Sequence, residues 1–145
     1  MKYSCSVEIN APLAKVVSLW ENEENFKEWQ DGFVSYTPLS GSPNKPGAKS
    51  KIVLEDRQRI ELVETIISVN LPEEKTAEYF HKHMTNTQTS RFKALDKNNT
   101  LYISEVEYTK FNGLLIKLMA RLFPGKFEQQ SQKWMDQFKA FVEGN

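Results

Sequence analysis

Phe127-Glu128-Gln129-Gln130-Ser131-Gln132-Lys133-Trp134-Met135-Asp136-Gln137-Phe138-Lys139-Ala140-Phe141-Val142 is the stretch on which the fold turns. Phe127, Ser131, Trp134, Phe138 and Val142 follow one another at spacings of four, three, four and four. That is the stripe of a helix with one face to bury. Its start is marked by Pro124-Gly125, because proline disfavours the α conformation at Phe123 and deletes a donor. The apolar segment before it, opened by Asn112-Gly113 and carrying Leu115, Leu118, Met119 and Leu122, therefore reads as a separate short helix. One small hydroxyl residue, Ser131, interrupts the long stripe.

Upstream the period is two. Tyr3, Cys5, Val7 and Ile9 alternate with Ser4, Ser6 and Glu8, a half-buried strand. Asn10 is then expected as a helix cap with Pro12 in the first turn, ahead of Leu13, Val16, Val17 and Trp20 at helical spacing. A second short helix is expected over 23–29, with Phe26 and Trp29 on one side. From residue 33 to 110 short alternating runs at 33–39, 50–54, 59–69, 75–82, 88–95 and 100–110 are separated by turn residues, which predicts an antiparallel meander. The fold class is α+β: one strand, two short helices, six strands and a long C-terminal helix. About seven strands form a curved antiparallel sheet that must cover its apolar face, and the last helix has the one stripe long enough to do so. Such an arrangement leaves a cavity between helix and sheet.

Length and composition set the outer bounds. The chain has 145 residues, 19 basic and 19 acidic side chains, and 12% aromatic residues. This predicts one domain over 1–145 with material for a large core or a lined cavity. Zero net charge argues against a nucleic-acid partner. The lone Cys5 excludes an internal disulfide and multi-cysteine metal frameworks. With no apolar run of signal-peptide or membrane-spanning length, the expectation is a cytoplasmic protein without stable membrane insertion.

Ile9-Asn10-Ala11-Pro12 followed by Val16-Val17, then Asn25-Phe26-Lys27-Glu28-Trp29-Gln30 and Gly32, resembles the opening of the START-like helix-grip (SRPBCC) proteins. The sequence is most similar to their bacterial polyketide cyclase/dehydrase-type branch. The Asn98-Asn99-Thr100 turn and the closing amphipathic helix agree with it, so the resemblance runs along essentially the whole chain. It implies a helix-grip fold with a deep, largely apolar pocket for a lipid, sterol, quinone, polyketide or hormone. No cofactor is expected, and no catalytic set of a cyclase or dehydratase can be matched residue by residue.

The expected lining follows from strand and helix faces. Trp29, Leu118, Phe127, Ser131 and Trp134 come from the helices; Phe33, Ile52 and Leu54 come from the early strands. On the strand 100–110, placing Tyr102, Ser104, Val106 and Tyr108 inward keeps Glu105 and Glu107 in water. It exposes Leu101 and Ile103, which could then join two copies in a homodimer. Gln88, Ser90 and Phe92 share a face of the preceding strand, with Phe92 as anchor. Trp29, next to Asp31-Gly32, is placed at the pocket rim.

Three groups invite chemistry. Glu64 lies among Leu62 and Ile66; buried and unpaired it could act as a general acid or base, while at a sheet end it would be solvated or paired with Arg91 or Arg59. Tyr102 and Tyr108 are the accompanying candidates for moving protons. Ser131 either back-bonds to the carbonyl four residues earlier in a tight helix–sheet contact or faces a ligand. His81 and His83 share a strand face, but no third metal ligand is marked by spacing, and both fit an exposed strand end near the turn Met84-Thr85-Asn86. No metal is expected. The segment 114–123 is too apolar for a solvated helix and reads as a lid over the cavity, or as a membrane or partner contact. The function these readings favour is binding of a small hydrophobic molecule; the alternatives are a cyclase- or dehydratase-type enzyme and a protein-interaction module.

Overall fold

A single helix about 10–12 Å across with its side chains cannot cover seven strands that together span about 29 Å, and the architecture follows from that mismatch. The computed structural model describes every residue from Met1 to Asn145. Its strands are β1 (Lys2–Ile9), β2 (Phe33–Ser40), β3 (Lys49–Glu55), β4 (Arg59–Asn70), β5 (Glu74–His81), β6 (Met84–Asp96) and β7 (Asn99–Phe111). They form one antiparallel sheet in the order β1-β7-β6-β5-β4-β3-β2. The first two strands in the chain are thus its two edges, and α1 (Leu13–Glu21), a 3-10 turn (Glu23–Asn25) and α2 (Phe26–Trp29) carry the chain between them. After β7 come α3 (Leu114–Leu122) and the long α4 (Gly125–Glu143).

Local details depart from expectation in two places. Asn10 does not cap α1. Its N–H donates to Glu143 Oε2 at 2.8 Å, and the extended Pro12 takes the cap position with no side-chain hydrogen bond. Met84-Thr85-Asn86 is strand rather than turn, since the hairpin closes over Lys82-His83 with His81 paired to Met84. Gly32 is required where it stands: its φ is +88°, and a Cβ would come within 3.0 Å of the Glu55 carbonyl oxygen.

Along one edge α4 and β1 run side by side, stitched at every level. The Tyr3 hydroxyl donates to the Phe127 carbonyl at 3.2 Å and lies 2.7 Å from the Ser131 hydroxyl. Gln132 donates to the Ser6 carbonyl, and Lys139 to that of Glu8, at 3.2 and 2.6 Å. The last two bonds satisfy outward carbonyls of an edge strand that would otherwise invite another chain.

Packing divides α4 into two halves. Met135, Phe138 and Val142 are buried with Ile9, Val16, Val17 and Trp29 in a continuous core; Phe138 is 0% exposed and meets the Trp29 and Tyr102 rings edge-on at 5.1 and 5.7 Å. Phe127, Ser131 and Trp134, toward the N-terminal end, are only half-buried. On β7, Tyr102, Ser104 and Val106 are buried while Glu105 and Glu107 are exposed, as the phase argument requires. Leu101 and Ile103 are half-buried on the other face rather than exposed, which leaves the expected homodimer contact without its exposed apolar pair.

Phe138→Ala should cost about 3–5 kcal/mol, because it empties the densest part of the core. Phe127→Ala, where the ring is half-buried, should cost less than half of that. Urea titration of the two variants beside the parent checks the ranking.

Candidate functional site

Where the N-terminal half of α4 is only half-buried against the sheet, a cavity of about 430 Å³ opens. This is within the range of small-molecule sites. Its floor is the inward face of β3 to β7, and its roof is the first half of α4 with Ile116, Met119 and Phe123 at the α3 end. Exposed polar residues of the lining, Glu23, Asn44, Lys126 and Gln130, form its rim. The walls are mainly aromatic and aliphatic.

Set into them is a carboxylate. Glu64 is 6% exposed in the middle of β4 and is held by two phenols: the Tyr36 hydroxyl donates to Oε1 at 3.1 Å and the Tyr79 hydroxyl to Oε2 at 2.9 Å. Tyr79 stands directly opposite Glu64 in the β4–β5 ladder. Burial, with the negative field of Glu64 adding to it, pushes the Tyr36 phenol up to about 12 and raises that of Tyr79 well above its ordinary value. Neither sheet-end solvation nor an arginine partner applies to Glu64. Arg91 bridges Glu74 and Glu105 in solvent, and Arg59 pairs with Glu61.

Trp29 supplies a second polar feature. It is not at the rim but buried in the wall, packed edge-on against Phe26 and Phe138, and its indole N–H has no hydrogen-bond partner. The other two indoles are satisfied: Trp20 donates to the Tyr102 hydroxyl at 3.2 Å and Trp134 to the Asp31 carbonyl at 3.3 Å. Both rings also line the cavity, as do Ile52, Leu54, Gln88, Ser90 and Ser104. Ser131 lines it too, but does not back-bond along its helix as one reading had it, because Tyr3 takes the Phe127 carbonyl and pairs with the serine. Tyr102 and Tyr108 reach the lining with phenols raised by burial, so near neutrality they serve as hydrogen-bond groups and are poor bases.

Three residues expected along the cavity do not line it. Phe92 is stacked on Tyr102 at 4.8 Å and edge-on to Trp20, inside the solid core. Leu118 is 52% exposed and points outward, since α3 is apolar nearly all round and presents 116, 119 and 123 instead. Phe33 packs against Phe26, and a bulge between Phe33 and Ser35 reverses the strand's phase so that Tyr36 faces inward. That bulge also explains why Tyr36 escapes a reading by alternation. Tyr79 escapes for another reason: Phe80, its neighbour, is as apolar a candidate for the inner face, yet is 51% exposed. His81 and His83 face each other across the hairpin at 5.4 Å between ring centroids, with the His83 N–H donating to His81 Nδ1.

No family model matches the chain, and no curated protein does. Solved structures do. An aromatase/cyclase, Zhui from Streptomyces sp. R1128, superposes with a TM-score of 0.82 at 8% identity, over 99% of this chain and 93% of its own. A START superfamily protein from Mycobacterium smegmatis gives 0.76 at 14% identity, over 99% and 97%. Ara h 8.0201 gives 0.74 at 16% identity, over 100% and 99%. The chain therefore has the START-like helix-grip fold.

Removing either phenol should leave a buried carboxylate oxygen short of a donor, so Tyr36→Phe and Tyr79→Phe should each cost about 1–3 kcal/mol by urea unfolding. Alkaline titration gives a second readout. A folded-state phenol raised from 10.0 to about 12 contributes stability that is complete below pH 10 and lost as pH rises toward 12. The parent should therefore lose stability more steeply across that window than Tyr36→Phe; equal slopes would remove the buried phenol as the cause.

Proposed function

We propose that the protein binds a small, largely hydrophobic molecule that carries a hydroxyl group, in the cavity between α4 and the sheet. The observation that carries this reading is the buried Glu64 carboxylate, set without an ion-pair partner in a mainly apolar and aromatic wall. Each oxygen of Glu64 accepts one phenol and keeps a lone pair, to which a ligand hydroxyl can donate. Apolar contact supplies the rest, at about 25 cal/mol for each Å² removed from water. Likeness in fold to an aromatase/cyclase and to a START superfamily protein supports a hydrophobic cargo and leaves its identity open.

A second reading has Glu64 moving a proton on the bound molecule, favoured by its place in the wall, without a cationic partner. In that case Glu64→Gln would keep binding and lose turnover.

The test pairs 2-naphthol with 2-methoxynaphthalene, which keeps the oxygen but has no proton to donate. Quenching of tryptophan fluorescence should report roughly tenfold tighter binding of the naphthol, and Glu64→Leu should erase most of that preference. Equal affinities would remove Glu64 as the recognition group. If neither compound, nor any of a panel of fatty acids, sterols and quinones, binds or raises the melting temperature, the cavity is not a binding site. Native mass spectrometry of gently purified protein should reveal the natural cargo.

A further inference from the structure

The outer surface of α3 is unlike the rest of the molecule. Leu114 is 88% exposed, Leu115 73%, and Leu118 and Leu122 are more than half exposed; no residue of this helix is buried. Spaced one, four and eight from Leu114, these four side chains make a continuous apolar face turned to solvent. A solvated helix normally turns such a face inward.

Charge accompanies it. Between Glu107 and Glu128 the chain carries Lys110, Lys117, Arg121 and Lys126 and not one acidic residue, although the protein as a whole has zero net charge. None of the four makes an ion pair, whereas seven pairs form elsewhere. Lys117 and Arg121 are one turn apart on the flank of the leucine face, and Lys126 lies over the exposed Phe123 ring at 5.1 Å. The helix hangs between Gly113, at φ +106° and with no side-chain cap, and Pro124.

We propose that α3 docks the protein on the surface of an anionic lipid bilayer, lying in the plane of the interface with its leucines among the acyl chains and its lysines and arginine at the headgroups. Unpaired cations beside an apolar face are the complement of such a surface, where an amphipathic helix sinks about 5–10 Å. At nine residues, about 14 Å, α3 is far too short to span the hydrocarbon core, so the contact is peripheral and reversible. A protein groove would match the leucines but leave the four cations without stated partners; a second copy of this chain would bring four like charges against them. The opposite face of α3 bears Ile116 and Met119 of the cavity lining, with Phe123 just beyond its end, so the docked helix would hold the cavity mouth against the bilayer.

This goes beyond the binding of a cargo and does not depend on it. Flotation of the intact protein with vesicles of phosphatidylcholine alone, or mixed with phosphatidylglycerol, reads it directly. Binding is expected to the mixed vesicles only, falling as salt screens the headgroups. Lys117→Glu/Arg121→Glu and Leu115→Ser/Leu118→Ser alter exposed positions, so both should keep the parent's melting temperature while losing about tenfold or more of the partitioning. No flotation of the parent with anionic vesicles overturns the proposal. So does flotation that both variants retain. Concentration-dependent dimerisation abolished by Leu115→Ser/Leu118→Ser, without vesicle binding, would assign the face to a second copy instead.

Discussion

The hydrogen-bonded seam between α4 and β1 is the constraint on which the rest of the molecule depends. Because Tyr3, Ser6 and Glu8 are each tied to α4, the helix is held over one edge of the sheet rather than its middle. Its C-terminal half then meets α1 and α2 and packs solidly, with Phe138 at the centre. Its N-terminal half has no comparable element beneath it. The remaining strands extend well beyond it, and a helix of ordinary girth cannot cover them. The cavity is what a strong edge contact leaves behind, and it needs no separate device.

The same geometry accounts for the polar groups in the wall. β4 crosses the sheet far from the α4 seam, so Glu64 is buried by its neighbours in the sheet and by Tyr36 and Tyr79, and it makes no ion pair. Two phenols can stabilise a carboxylate without neutralising it, which leaves it able to accept another donor. Trp29 is locked against Phe26 and Phe138 by ring packing, and that packing decides where its N–H lies, whether or not a partner is present. The solid core thus positions the polar fittings of the hollow half.

α3 belongs to neither half. It follows the last strand, is bounded by a glycine and a proline, and lends one face to the cavity while no residue of it is buried. A helix held so lightly derives little of its stability from tertiary packing, which is where most helical stability arises. That places it among the segments of the fold able to move with modest loss, at the position where the interior communicates with the outside.

By itself the sequence determined the elements, their order and the inward faces of the regular strands. Period two in β1 and β7 and the four-three-four-four spacing of α4 are dictated by burial of one side, and they survive into the structure because each segment is regular enough for its own pattern to be the answer. It also placed Ile52, Gln88, Ser90, Ser104 and Ser131 on the side that became the cavity. Tertiary structure alone decided the rest. Tyr36 faces Glu64 because a bulge in β2 shifts the phase by one residue, an event with no mark in the apolar pattern. Tyr79 rather than Phe80 faces inward because of the β4–β5 register, and Leu118 faces outward because an almost uniformly apolar helix has no pattern from which to choose a side. Periodicity reports which residues share a face; only contact with another element selects the face that is buried.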